Sequence, residues 1–233
     1  MRSRERSWPI PVALVGLSAI PLTAGMLRLL QLAGGPAVIP ADPRFAGFPL
    51  ALVLHILGAT TYAVFGILQL VPRLRRRHLA WHRRAGRVVA GAGLLVAGSA
   101  LWLTLFYPAK PGTGALLLVL RLTFASAMAA CLTLGVTTVR RGDVAAHRAW
   151  MMRAYAIGLA AGTQAFTEGV GGALFGTGVL AADVAKGSGW VINLAVAEWA
   201  IRRTTRLRPR AGRGLRLPGR RARTRPACEA PTI

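Results

Sequence analysis

The sequence predicts an all-α fold: a polytopic bundle of about six transmembrane helices, with a four-helix core made by spans two to five. Three observations carry that expectation. The chain of 233 residues is 54% hydrophobic, and its apolar residues come in long blocks, several matching the ~20 helical residues that cross a ~30 Å hydrocarbon core. Its formal charge of +23 sits almost wholly in short arginine clusters between those blocks. A segment in lipid must satisfy its own backbone hydrogen bonds, and a helix does so internally.

The first span is Trp8–Leu32, interrupted by Pro11, Pro21 and Arg28. The basic start "MRSRERS" would also suit a signal peptide, but the apolar run is long for one and no small-x-small site follows, so an uncleaved helix is expected. Phe48–Val71 is the second span, Val88–Tyr107 the third, Gly114–Val139 the fourth and Trp150–Gly169 the fifth. Ser188–Ile201, 14 residues long, is expected to be a sixth, because Arg202, Arg203 and Arg206 can snorkel to the headgroups. Residues 1–7 then form an N-terminal segment, 8–203 the membrane domain and 204–233 an arginine-rich tail. The Pro, Gly and Arg of that tail cannot bury a core, so it is expected to be disordered.

Arginine placement sets the expected orientation. With the N-terminus inside, segments 1–7, 72–87, 140–148 and 202–233 hold 24 Lys or Arg, against Arg44, Lys110 and Lys186 on the other side. Basic loops stay cytoplasmic, so both termini are expected there. The inner loop "RLRRRHLAWHRRAGR" reads as a topology determinant that also grips anionic lipid headgroups through Arg75, Arg76, Arg77, Arg83 and Arg84, each worth about 1 kcal/mol near a charged surface. No nucleic-acid role is expected of it. Cys131 lies in an apolar block and Cys228 in the tail, which gives neither a disulfide framework nor a metal knuckle.

Polar residues inside the spans are the functional candidates, since lipid makes them costly. His55, Tyr62 and Gln69 recur every seven residues along one face of span two, with Gly58 and Gly66 beside them. Tyr62 and Gln69 read as an interhelical stripe without chemistry. Counting from the span ends at ~1.5 Å per residue places His55, Arg121 and Gln164 at one level, about 10 Å below the outer surface. Glu168 is one turn from Gln164, and Asn193 and Trp102 fall near the same level. Arg121 stays charged and needs a carboxylate, carbonyls or an anionic ligand. Two readings stay open: an Arg121–Glu168 ion pair that only fixes packing, or an outward-facing ligand pocket of His55, Arg121, Gln164, Glu168 and Asn193.

A second polar group lies at the inner boundary: His78, His82, His147, Arg153 and Glu198. His78 and His82 share a helix face, which suits a small metal, whereas His82 and His147 begin different spans and could oppose each other across a haem b. Against that stands a set of interfacial histidines bonded to headgroups and carbonyls. Glu198 and Arg202 are spaced as an i,i+4 pair. Gly158 and Gly162 make a GxxxG helix-packing face. The sequence carries no P-loop, dinucleotide fingerprint, serine elbow or zinc-protease motif.

The stretches "HILGATTYAVFGILQLVPRLR", "WHRRAGR", "RRGDVAAHRAWMMRAYAIGLAAGTQ" and "GWVINLAVAEWAIRR" occur in an order that resembles domain-of-unknown-function family 2306, a family of bacterial membrane proteins. The resemblance spans about residues 50–203 and implies a multi-span helical membrane protein, of a family that carries no established activity; the bacterial inner membrane is the expected location. A looser similarity is to transmembrane b-type cytochromes, which place histidines in depth-matched pairs; here His55 has no histidine partner. The expectations for function are therefore a membrane protein with a polar pocket for a small ligand or proton, a haem b electron carrier, or a scaffold docking partners or anionic lipid. Self-association into a homo-oligomer is compatible with each.

Overall fold

The computed structural model describes residues 9–45 and 49–206, and among these the regular structure is helical, without a strand. The N-terminal segment 1–7 and the tail beyond Arg206 lie outside the described residues. The helices are α1 (Pro9–Leu32), α2 (Leu50–Leu70), α3 (Pro72–Arg77), α4 (Leu79–Phe106), α5 (Ala115–Arg140), α6 (Val144–Gly158), α7 (Ala160–Phe175) and α8 (Val179–Arg206). By length and composition, α1, α2, α4, α5 and α8 are each able to cross a membrane.

Three elements depart from the sequence expectation. The arginine-rich connection is helical rather than a loop: Pro72 opens α3, and α4 begins at Leu79, well before Val88. A proline at the first helical position loses no hydrogen bond and presets φ, which explains the start of α3. The break between α3 and α4 is His78, whose φ of −131° and ψ of 66° are not helical.

The fifth span is two helices, α6 and α7, parted at Leu159. Alone, the 15 and 16 residues of α6 and α7 reach about 22–24 Å, short of the ~30 Å core, so a crossing here needs both. Leu159 keeps φ −79° and ψ −5°, close enough to helical for the chain to continue through a tightened turn. The two glycines of the GxxxG pattern flank this break and meet different partners. A Cβ on Gly158 would lie 2.7 Å from the Tyr62 ring of α2, and one on Gly162 would collide with the Leu17 carbonyl of α1.

The sixth span is twice its expected length. Helix α8 runs 28 residues from Val179, through the polar stretch around Asp183 and Lys186 that reads as a loop in sequence. Both charged groups have partners on neighbouring elements, which is what lets the helix carry them.

The polar stripe of α2 is an antiparallel seam against α4. His55 meets Ser99, Tyr62 packs where a Cβ on Gly93 would be 2.6 Å from its ring, and Gln69 faces Gly86. As the α2 number rises by seven the α4 number falls by six or seven, as two helices running in opposite directions require. Tyr62 is the centre of the core, filling the space left by Gly93 and Gly158 and lying 5.6 Å from the Tyr155 ring. The Tyr155 hydroxyl donates to the Ala63 carbonyl at 3.0 Å, tying α6 to α2. Small residues under aromatic ones give this core its close packing, the main attraction between helices once both lie in lipid. The outside stays apolar as well: Trp102, Phe166, Leu174 and Phe175 are all more than half exposed, a surface suited to hydrocarbon and costly in water.

Candidate functional site

The turns of the bundle gather at two ends of opposite character. One collects the arginines of α3, the start of α4, the α5–α6 turn and the end of α8. The other, arginine-poor end collects the α1–α2, α4–α5 and α7–α8 connections. There Arg44 donates to the Pro108 carbonyl at 3.5 Å, and Asp183 of α8 reaches the start of α5.

The arginine-poor end holds a cavity of about 200 Å³ walled by Arg44, Thr104, Tyr107, Thr113, Leu117 and Arg121, among others. Two of its lining residues, Gly114 and Leu117, are held from behind by Asp183. That side chain is 1% exposed, and its carboxylate accepts from Gly114 N–H at 3.1 Å and Leu117 N–H at 3.0 Å. It is thus an N-cap supplied by another helix, placing negative charge where the α5 dipole is positive. The backbone at Gly114 must come this close: a Cβ there would lie 2.7 Å from Asp183 Oδ2.

The rim is the α1–α2 connection, which folds back over the α4–α5 turn. Arg28 donates to Gln31 Oε1 at 2.7 Å and to the Pro40 carbonyl at 3.0 Å, holding the connection to the end of α1. Phe45 packs on Tyr107 with ring centroids 5.4 Å apart. Arg44 forms a forked pair with Asp42, at 2.9 Å from Nε to Oδ1 and 2.5 Å from the far nitrogen to Oδ2. The Arg44 guanidinium holds the Asp42 carboxyl below its ordinary range.

Arg121, one helical turn beyond Leu117, is the unmatched group. It is half-buried and makes no hydrogen bond or ion pair among the described residues. Arg44, Asp183 and Glu168 are near enough to act on its charge, the first by repulsion. The Asp183 carboxylate is already turned to backbone amides, and Glu168 pairs with Lys186 at 3.3 Å. So Glu168, the counter-ion that the sequence suggested for Arg121, has a nearer lysine on α8.

The other residues expected at this level take separate partners. His55 Nδ1 lies 3.0 Å from Ser99 Oγ, and the one hydroxyl proton of Ser99 goes to the Leu95 carbonyl at 2.6 Å. His55 is therefore the donor, which leaves Nε2 as its acceptor nitrogen. Gln164 donates to the Lys186 carbonyl at 3.1 Å. Asn193 accepts from Thr163 at 2.7 Å and donates to the Ala156 carbonyl at 3.1 Å, bridging the break at Leu159. Of the five proposed pocket residues, Arg121 alone lines the cavity. Sequence reasoning missed Asp183, Arg44 and Tyr107. With only seven Asp and Glu in the chain, an acidic residue beside an apolar block was the available signal for Asp183.

At the arginine-rich end, Arg153 forks onto Glu198, its second contact 3.1 Å long, and stacks on Trp150 at 4.8 Å. The partner of Glu198 is thus Arg153 across helices, rather than Arg202 on its own helix. His147 donates Nδ1–H to the Gly135 carbonyl at 2.8 Å. The Nδ1 of His82 is buried without a hydrogen-bond partner, as is the Nε2 of Gln69, among the described residues. His82 lies within electrostatic range of Arg75 and His147. His78, at the α3–α4 break, is exposed, as are Arg76, Arg77, Arg83 and Arg84, with Arg75 half-buried.

No curated protein and no solved structure matches the chain. A family model does, described as a predicted membrane protein (DUF2306), over residues 52–201. That range holds α2 to α7 almost whole, α8 as far as Ile201, and Arg121, Asp183 and Glu168, while the rim residues Arg28, Gln31, Asp42 and Arg44 precede it. With well over half its length matched, and with apolar helices of membrane-crossing length, the chain belongs to the DUF2306 family of membrane proteins.

Proposed function

We propose that this protein binds a small anionic ligand within the membrane, at the cavity around Arg121, and that the arginine-rich end faces the cytoplasm so that the cavity opens to the outer side. One observation carries the reading: Arg121, permanently charged and half-buried, stands on the wall of a cavity without a protein counter-ion among the described residues. A charge in a membrane helix is costly unless something pairs with it, and such groups mark ligand or ion pathways. The cavity, at about 200 Å³, is smaller than the roughly 300–1,000 Å³ of sites that enclose drug-sized ligands, which suits an ion or a headgroup. Thermal unfolding of the detergent-solubilised protein in different anions at fixed ionic strength tests it. Anions should raise the melting temperature of the wild type and leave Arg121→Gln unmoved; equal behaviour of the two proteins ends the reading. At the opposite end, the exposed Arg76, Arg77, Arg83 and Arg84 would rest on anionic headgroups of the inner leaflet.

A second reading rests on the histidines of that end. His147, with Nδ1–H committed to Gly135, keeps Nε2 free as a ligand, the arrangement found for metal-bound imidazoles. His82 offers a buried nitrogen without a partner. These two, rather than exposed His78, would hold a haem b, which when bound would supply one-electron chemistry. Arg75 would add positive charge beside it. An absorbance spectrum after haem supplementation decides: a Soret band lost in His82→Ala and in His147→Ala supports this reading, and its absence from the wild type removes it.

A further inference from the structure

Resting on the anion reading of the cavity, we infer that the ligand is a phosphate group gripped between Arg121 and Arg44, and that Arg44 reaches it by exchanging Asp42 for the ligand. Two guanidiniums face one small cavity, and Arg44 is close enough to Arg121 for their charges to repel. A planar carboxylate is satisfied by one such fork, whereas a tetrahedral phosphate offers oxygens to two. The same wall carries the Tyr107 hydroxyl, a further donor for an acceptor-rich group, whereas the hydroxyl protons of Thr104 and Thr113 go to the Ala100 and Lys110 carbonyls. The volume admits the phosphate and excludes most of whatever molecule bears it.

Asp42 is what distinguishes Arg44 from a fixed ligand. Its carboxylate sits two residues away, immediately before the short 3-10 turn Pro43–Phe45, and occupies the Arg44 fork. Both partners keep nearly a fifth of their side-chain surface exposed, so the pair can open without a buried charge being stranded. Arriving phosphate supplies the negative charge that Asp42 now supplies, relieves the Arg44–Arg121 repulsion, and returns Asp42 to water. The rest of the rim is held independently, by Arg28 on Pro40 and Phe45 on Tyr107.

Phosphate could come free from the outer medium or as a phospholipid headgroup, for which Leu118, exposed to lipid at the cavity wall, provides an apolar flank. The full-length chain is therefore titrated in two arms: inorganic phosphate in neutral detergent, and nanodiscs of phosphatidylcholine with increasing phosphatidylglycerol. Saturable stabilisation in either arm, not reproduced by chloride or acetate at equal ionic strength, is the expected result and names the source. Arg121→Lys, which keeps the charge and loses the fork, should weaken it at least tenfold, and Arg44→Gln likewise. Asp42→Asn should strengthen it severalfold by freeing Arg44. If chloride and acetate stabilise the wild type as well as phosphate does, while Arg121→Gln abolishes all three effects, the phosphate inference is overturned and the anion site stands. Silence in both arms overturns the inference, as do Asp42→Asn and Arg44→Gln proteins that bind phosphate as the wild type does.

Discussion

Replacing Asp183 by alanine tests whether one carboxylate on α8 builds the start of α5. In the wild type its two oxygens satisfy two amides, Gly114 N–H and Leu117 N–H, and Leu117 is 1% exposed, so no water replaces the bond there. Losing an N-cap costs about 0.5–2 kcal/mol. An orphaned buried N–H adds about 1–3 kcal/mol. Removing a buried carboxylate recovers part of its own desolvation cost, so about 2–3 kcal/mol of net destabilisation is expected. Asp183→Asn keeps one acceptor oxygen but brings an amide N–H₂ with no acceptor opposite it; about 1 kcal/mol is expected. Reversible unfolding in mixed micelles of increasing SDS fraction measures both. Hydrogen exchange adds a local readout, since the Leu117 amide should lose protection in Asp183→Ala before the middle of α5 does. A change within about 0.5 kcal/mol of the wild type, with Leu117 still protected, would show that α5 starts without this cap and that the reasoning is wrong.

Three further outcomes follow from the same geometry. Arg121→Leu, in the absence of anions, should stabilise the protein by about 1 kcal/mol, because it removes an unpaired charge from an apolar helix; destabilisation in SDS titration would reveal a partner for Arg121. Gly162→Ala should cost about 1–3 kcal/mol, since the new Cβ meets the rigid Leu17 carbonyl and must push α1 from α7, and cysteine crosslinking between these helices should fall in step. The Asp42 carboxyl has a folded-state pKa below its ordinary value of about 3.9, so its contribution to rim stability is present above that value and lost as pH falls through the folded one. Amide exchange at Arg44 and Phe45, corrected for intrinsic rate, should accelerate as the pH falls below about 4, and Asp42→Asn should remove that dependence.

The membrane class was legible because it is a property of composition and order. Long apolar blocks and segregated arginines survive any error in helix ends. The α2 seam was legible too, since a seven-residue repeat of His55, Tyr62 and Gln69 marks one face without reference to the partner. The break at Leu159 was not, because no proline announces it; Gly158 and Gly162 permit it, and Tyr62 and Leu17, distant in sequence, occupy the space they leave. The start of α8 was hidden for a related reason. Asp183 and Lys186 look like loop residues until Gly114, Leu117 and Glu168 are brought against them. The polar level around His55 failed to assemble because counting residues from a span end gives depth along a helix and says nothing of direction around it. His55 faces α4, Gln164 faces α8, and depth alone cannot bring them together.

Direction around the axis also explains why Arg121 stands apart. Five ionisable groups of the bundle are matched sideways, each by an adjacent element: His55 by Ser99, His147 by Gly135, Arg153 by Glu198, Asp183 by the α5 amides, and Lys186 by Glu168. These pairings exhaust the acidic side chains described near the arginine-poor end, apart from Asp42, which Arg44 occupies. Arg121 therefore has no counter-ion left to recruit by a rotamer change, and any competition with Lys186 for Glu168 would leave a lysine unpaired instead. A bundle that matches its other buried charges so closely and leaves one guanidinium on a cavity wall has a deficit of one negative charge at that place. Among the described residues none is left to supply it; on the proposed reading a ligand or a headgroup would, and the supply would become two-sided once Arg44 let go of Asp42.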